Sequence, residues 1–200
     1  AAVGCVGMLM WMMNSIALIS KVSAEITIGQ SIGARRLDKA TIYASHTTTI
    51  AIILGLTFGF LFALFPNPYI SFYELEKSVA LEAESYLRII ALGIPFVFMG
   101  LNFSGIYIGS GRSDIPFYFN AIGLILNIIL DPILIFGYGP FPQFGVIGAA
   151  TATVIAQGVV VTLFVYHLKG KKGILGRFKF ITRLRKQYTA NILKLGFPVA

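Results

Sequence analysis

Charged side chains are scarce in this chain: Asp, Glu, Lys and Arg make up 12% of its 200 residues, about half the share of an ordinary soluble domain. Cysteine is scarcer still, with Cys5 alone in an apolar run. One cysteine forms no internal disulfide and lacks the companions a thiolate metal site needs, so it reads as a small residue facing lipid or a helix. A phosphate-binding loop is also missing. Gly109-Ser-Gly-Arg-Ser-Asp114 has the glycines, but no strand precedes it and no Lys-Ser/Thr follows, which leaves a helix-to-helix turn. The start lacks an initiator Met, a basic n-region and a small-residue cleavage site, so its apolar run is not a signal peptide. With an ending at Leu195-Gly-Phe-Pro-Val-Ala200, where an apolar segment is beginning, the expectation is an internal piece of a longer protein.

What is abundant is apolar sequence: 56% of residues are hydrophobic and the mean hydropathy is +0.81, the composition of an integral membrane protein. The apolar runs predict membrane-spanning helices over about 1–32, 41–65, 86–108, 115–136 and 146–167, with a sixth opening at 191. Lys21 and Glu25 interrupt the first; four apart, they share a helix face, either as a pair lining a pathway or with Lys21 snorkelling from the interface. His46, near the start of the second, reads as an interfacial hydrogen-bonder rather than a ligand. Pro66 and Pro68 end that span, an amphipathic stretch from Leu75 leads into the third, and Pro95 predicts a kink in it. In the fifth, Gly145, Gly148, Ala149, Ala150, Ala152 and Ala156 allow close helix approach, while Thr151, Thr153 and Gln157 add hydrogen-bonding groups.

The net charge of +8 raises the question of nucleic acid, but eight of the sixteen bases fall between Lys169 and Lys186, in one inter-helix segment. That reads as a cytoplasmic loop, and nucleic-acid binding is not expected. The first and third connections carry Arg35, Arg36, Lys39 and Arg112; the second carries four glutamates with one lysine, and the fourth is uncharged. Odd connections are therefore predicted cytoplasmic and even ones external, so the first span runs inward. One further helix upstream would complete a six-helix bundle.

The fourth span, Ile115 to Phe136, holds the most informative residues. Asn120, Leu124, Asn127 and Asp131 are spaced four, three and four apart, which puts them on one helix face among Ile, Leu and Phe. A carboxylate in hydrocarbon is costly and must face protein or a wet cavity. Pro132 removes a backbone donor and frees the carbonyl of Ile128, so an acid, an amide and a carbonyl converge as a candidate cation or proton site.

Four motifs resemble the multidrug and toxic compound extrusion (MATE) transporters: Gln30-x-x-Gly33-Ala34 before a basic turn, Gly109-x-Gly111-Arg112 with Pro116, Asn127-x-x-x-Asp131-Pro132, and Gly145-Val-x-Gly148-Ala149-Ala150-x-Ala152-Thr153. The resemblance covers essentially the whole chain. It implies an all-α integral membrane protein, a polytopic helix bundle forming one six-helix lobe, its first helix missing, of a twelve-helix two-lobe transporter. Residues 1–168 would be the amino-terminal lobe, 169–190 the basic cytoplasmic inter-lobe loop and 191–200 the start of the second lobe. The implied activity is an antiporter of the plasma membrane exporting organic cations or other amphiphiles against sodium ions or protons, with no cofactor beyond that coupling ion. The family's amino-lobe cation site maps onto Asp131 and Asn127, which would hold a sodium ion or proton, and more loosely onto Tyr86. Asn120, Thr151, Thr153, Gln157, Lys21 and Glu25 are candidates for lining the pathway, although Lys21 and Glu25 depart from the small apolar residues expected there.

Three rivals have sequence criteria. A lipid-linked oligosaccharide flippase of the same superfamily calls for more basic residues within the spans, and Lys21 is the one candidate. An intramembrane enzyme needs a second catalytic group opposite Asp131, and none is offered. In a purely structural partner domain, Asp131 would only satisfy backbone donors after a helix break.

Overall fold

The computed structural model describes residues 2–138, 142–170 and 179–197. Their regular elements are α1 (Ala2–Gly33), α2 (Leu37–Leu64), the short α3 (Pro66–Ser71), α4 (Lys77–Gly109), α5 (Asp114–Phe136), α6 (Val146–Lys169) and α7 (Lys186–Gly196), with no strand among the described residues. Five helices are long and apolar enough to cross a bilayer: α1 from Val6, α2, α4, α5 and α6. The chain is an all-α polytopic membrane protein.

Some boundaries differ from the sequence reading for local reasons. α4 starts at Lys77 rather than near 86, because the amphipathic stretch ahead of the apolar run is continuous with it. α2 starts at Leu37 rather than 41, directly after a turn in which Arg35 adopts a left-handed φ of 56°. There the Arg36 amide donates to the Ser31 carbonyl at 2.8 Å, closing the end of α1. Pro66 sits at the first positions of α3, where its missing N–H costs nothing. Both interior prolines, Pro95 and Pro132, lie within helices that continue past them.

The fold is built around α4, which packs against α1, α2 and α6. Glycines make the approach close. A Cβ on Gly59 of α2 would stand 2.8 Å from the Ala91 carbonyl oxygen of α4, and one on Gly55 would stand 2.9 Å from the Pro95 Cα. On the opposite side of α4, a Cβ on Gly109 would stand 2.6 Å from the Glu25 carbonyl oxygen, and one on Gly105 would overlap that of Lys21. With no hydrophobic drive between helices in lipid, such small-xxx-small seams are what hold them. α6 meets α5 in the same manner, with Gly148 against the Leu134 carbonyl and Ala150, Ala152 and Ala156 buried. Two cores result, one containing Leu9, Met13, Leu87, Ile94 and Phe98, the other Ile28, Phe103, Tyr107 and Phe164.

α5 is the outlying helix. It packs chiefly on α6, touches α4 lightly and is not packed on α1. A cleft therefore runs between α1 and α5, floored by α4 and α6.

Candidate functional site

The first half of the polar stripe of α5 faces this opening. Asn120 and Leu124 line a cleft of about 590 Å³ together with Asn14 and Lys21 of α1, Val97, Gly100, Leu101, Ser104 and Ile108 of α4, and Gln157 of α6. Further along α5, Asn127 and Asp131 are half-buried, and the Asn127 amide donates to an Asp131 carboxylate oxygen at 3.4 Å. The one-face spacing thus brings these two groups together. Asn120 is exposed: because α1 and α5 stand apart, this part of the face looks onto the cleft.

Tyr86, on the facing part of α4, is half-buried and near enough for the Asp131 charge to act on it, but no hydrogen bond joins them. Among the described residues, the hydrogen bond of Asp131 is the one within its own helix. With a carboxylate, an amide oxygen and the Ile128 carbonyl freed by Pro132, the donors present are all oxygens. They fit a hard monovalent cation or a proton, whereas no cluster of three His, Cys, Asp or Glu among the described residues would hold a metal by such side chains.

The other candidates fall into two groups. Gln157 and Lys21 line the cleft and make no hydrogen bond or ion pair among the described residues. Thr151 and Thr153 donate back to their own helix, to the Ile147 carbonyl at 2.8 Å and the Ala149 carbonyl at 3.0 Å. Glu25 is half-buried and away from the cleft lining; the ion pairs among the described residues are Arg88–Glu84 and Arg112–Asp114, so the Lys21–Glu25 pair is not formed. The backbone of both residues lies against α4. In the turn before α5, the Asp114 carboxylate grips Arg112 with two 3.0 Å hydrogen bonds and raises its pKa.

A second polar region went unread in the sequence. Ser45, His46, Thr47, Thr48 and Thr49 of α2 are all buried. The Ser45 hydroxyl accepts the Lys179 amide at 3.1 Å, the His46 ring accepts that of Arg185 at 3.2 Å, and the Thr49 hydroxyl accepts that of Thr182 at 3.0 Å. The end of the basic segment is thus strapped onto α2. Asn102 of α4 donates to the Thr48 hydroxyl at 2.8 Å, and Tyr107 meets His167 of α6 at 2.7 Å. Five consecutive polar residues in an apolar helix were the available signal. Of the basic segment, residues 171–178 lie outside the described residues.

Comparison with known proteins agrees with this arrangement. The MatE family model matches residues 1–133. The chain is 27% identical over 203 residues to the probable multidrug resistance protein YoeA of Bacillus subtilis, covering 100% of this chain and 44% of that protein. It is 27% identical over 177 residues to a FAD transporter of Shewanella oneidensis, covering 88% of this chain and 39% of that one. A solved inward-facing multidrug resistance MATE family transporter of the MOP superfamily superposes with a TM-score of 0.87 at 25% identity, over 99% of this chain and 44% of that chain. The chain thus spans less than half the length of the relatives it matches. With the family model covering most of its length and the helices superposing throughout, the chain belongs to the MATE family, a family of transporters rather than enzymes.

Proposed function

We propose that this chain is the amino-terminal lobe of a secondary active antiporter, which exports drugs or other amphiphilic organic compounds in exchange for sodium ions or protons. The observation that carries the reading is the half-buried Asn127–Asp131 pair on α5, on the helix face whose earlier residues, Asn120 and Leu124, line an amphiphilic cleft. An ionised carboxylate at this depth is unfavourable unless a cation or proton neutralises it, so its loading state has a large differential energy to impose on the fold. Asn127 orients the carboxylate, and the Ile128 carbonyl offers a neutral oxygen beside it. Because Pro132 leaves the helix without one hydrogen bond at this place, α5 is the helix on which a change of charge most easily changes curvature. The apolar walls and neutral amides of the cleft suit an amphiphile.

In this reading a second lobe faces the cleft, the protein is multi-pass in the plasma membrane, and the segment Lys169 to Lys186 is cytoplasmic. The test is export of ethidium from cells making the protein or its Asp131→Asn variant, with membrane insertion verified. The substitution keeps the volume and removes the charge, so export is expected to stop; export equal to wild type would discard the assignment. Repeating the assay under a sodium gradient alone and a proton gradient alone identifies the coupling ion. The lipid-linked oligosaccharide flippase has Lys21 in its favour, and ethidium export speaks against it.

A further inference from the structure

We propose that Lys21 makes the cleft an oxyanion-recognising subsite, so that the preferred cargo is an amphiphile carrying a carboxylate, sulfonate or phosphate beside an apolar body. This deepens the reading of the cleft as a transport pathway and rests on it. Lys21 is close to the midpoint of the Val6–Gly33 span, about 18 Å of helix rise from Gly33. That is too far for a lysine stem to carry its ammonium to the interface, so snorkelling does not account for it. A lysine at such depth must find an anion or water within the protein.

The seam with α4 decides which way it points. Gly105 lies directly against the Lys21 carbonyl, leaving the side chain to project into the cleft between α1 and α5. There the polar lining consists of Asn14, Ser104, Ser113, Asn120 and Gln157, all neutral, and no acid contributes to it. Part of this lining is engaged within its own helices: Ser104 donates to the Gly100 carbonyl, and Asn14 and Asn120 each use one of their two amide N–H groups, on the Met10 and Pro116 carbonyls. The Lys21 ammonium, the Gln157 amide and the Ser113 hydroxyl at the rim keep their donors free among the described residues, and Glu25 one turn on does not pair with the lysine. What remains is one full positive charge and a free amide in a cleft the size of a drug-sized ligand, walled by Val97, Leu101, Ile108 and Leu124. An oxyanion accepts hydrogen bonds from both groups and pairs with the ammonium charge, whereas an organic cation gains neither and is held there by its apolar body alone.

The test uses the protein in phosphatidylcholine nanodiscs, with fluorescein as the anionic probe and ethidium as the cationic one, read by fluorescence anisotropy without an ion gradient. Lys21→Met, which keeps the stem, is expected to weaken fluorescein binding about tenfold or more while ethidium binding holds or tightens; Lys21→Arg keeps fluorescein binding within about threefold of wild type. Gln157→Leu weakens fluorescein by a smaller factor. Adding phosphatidylglycerol separates the two sources of such a group: competition with fluorescein assigns the subsite to a lipid headgroup, and no competition assigns it to a free solute. Fluorescein binding that is unchanged in Lys21→Met, or lost together with ethidium binding, overturns the proposal. Since binding needs no gradient, failure of the exporter reading would show separately, as absent gradient-driven movement of either dye.

Discussion

His46 holds Arg185 by its backbone: the ring Nε2 accepts the Arg185 amide at 3.2 Å, while Nδ1 faces the Ile42 carbonyl at 2.8 Å. A carbonyl only accepts, so the proton sits on Nδ1 and the ring is neutral. Taking the ring away takes away the acceptor of the Arg185 amide, so His46→Ala is expected to loosen residues 179–190. Hydrogen exchange followed by mass spectrometry checks this at the Thr182 and Arg185 amides; equal protection in the variant would show that the ring does not hold the strap.

The contact between Asn102 and Thr48 predicts a non-additive cycle. Thr48→Val leaves a fully buried amide donor unmade and should cost about 1–3 kcal/mol. The Asn102 Oδ1 already has no partner among the described residues, so Asn102→Leu removes two unfavourable burials along with one bond. The double variant Thr48→Val/Asn102→Leu is expected to be more stable than Thr48→Val alone. Thermal melts of the four proteins in detergent decide it, and simple additivity would contradict the pairing.

Glycine substitutions should separate the helix seams from the open faces. Gly105→Ala drives a methyl onto the Lys21 carbonyl, where both partners are backbone and neither yields; a loss of about 1–3 kcal/mol is expected. Gly7→Ala, with nothing within 4 Å of the new methyl, should be neutral or slightly stabilising, since alanine is the better helix former by up to about 1 kcal/mol. Similar melting temperatures for the two variants would mean the α1–α4 seam is looser than described.

Asn127→Leu removes one neutral group from the Asp131 site and leaves its charge in place. Its ethidium export should fall less than that of Asp131→Asn. A larger defect would reverse the ranking of the two residues.

Topology can be checked without transport. In a Cys5→Ser background, Ser78→Cys at the start of α4 should react with an impermeant maleimide in intact cells, and Arg183→Cys on the strap should react only after permeabilisation. The reverse pattern would invert the orientation predicted from the basic connections.

What could be read from the residue string was whatever depends on one helix at a time. Apolar length located five spans, and the spacing from Asn120 to Asp131 placed Asn127 and Asp131 side by side, because a single helix sets both. Contacts made between helices were not legible. Nothing in the string says that Gly105 meets Lys21, that Asn102 reaches Thr48 across 54 positions, or that α5 stands off α1 and opens the cleft. Asp131 and Tyr86, which the family resemblance put in one site, share no hydrogen bond for this reason: residue type suggested neighbours, but helix placement set their separation. Of the Ser45–Thr49 run only His46 was read, as a hydrogen-bonder; its partners and those of Ser45 and Thr49 were not, since they are backbone amides more than 130 positions away.

The last helix carries a consequence for motion. The Ser23 hydroxyl donates to the Ile192 carbonyl at 2.6 Å, and Gly196 sits so close to α1 that a methyl there would stand 2.5 Å from the Ile19 carbonyl oxygen. α7 is thus latched to α1 at two successive turns, while the strap before it is tied to α2. If α7 opens the second lobe, the coupling between lobes is a geared one: a tilt of α1 is delivered to α7 at its base. Motion that separates α7 from α1 and the strap from α2 has to unfasten Ser23, His46 and Thr49 first, whereas motion that carries α1, α2 and α7 together leaves those three contacts intact.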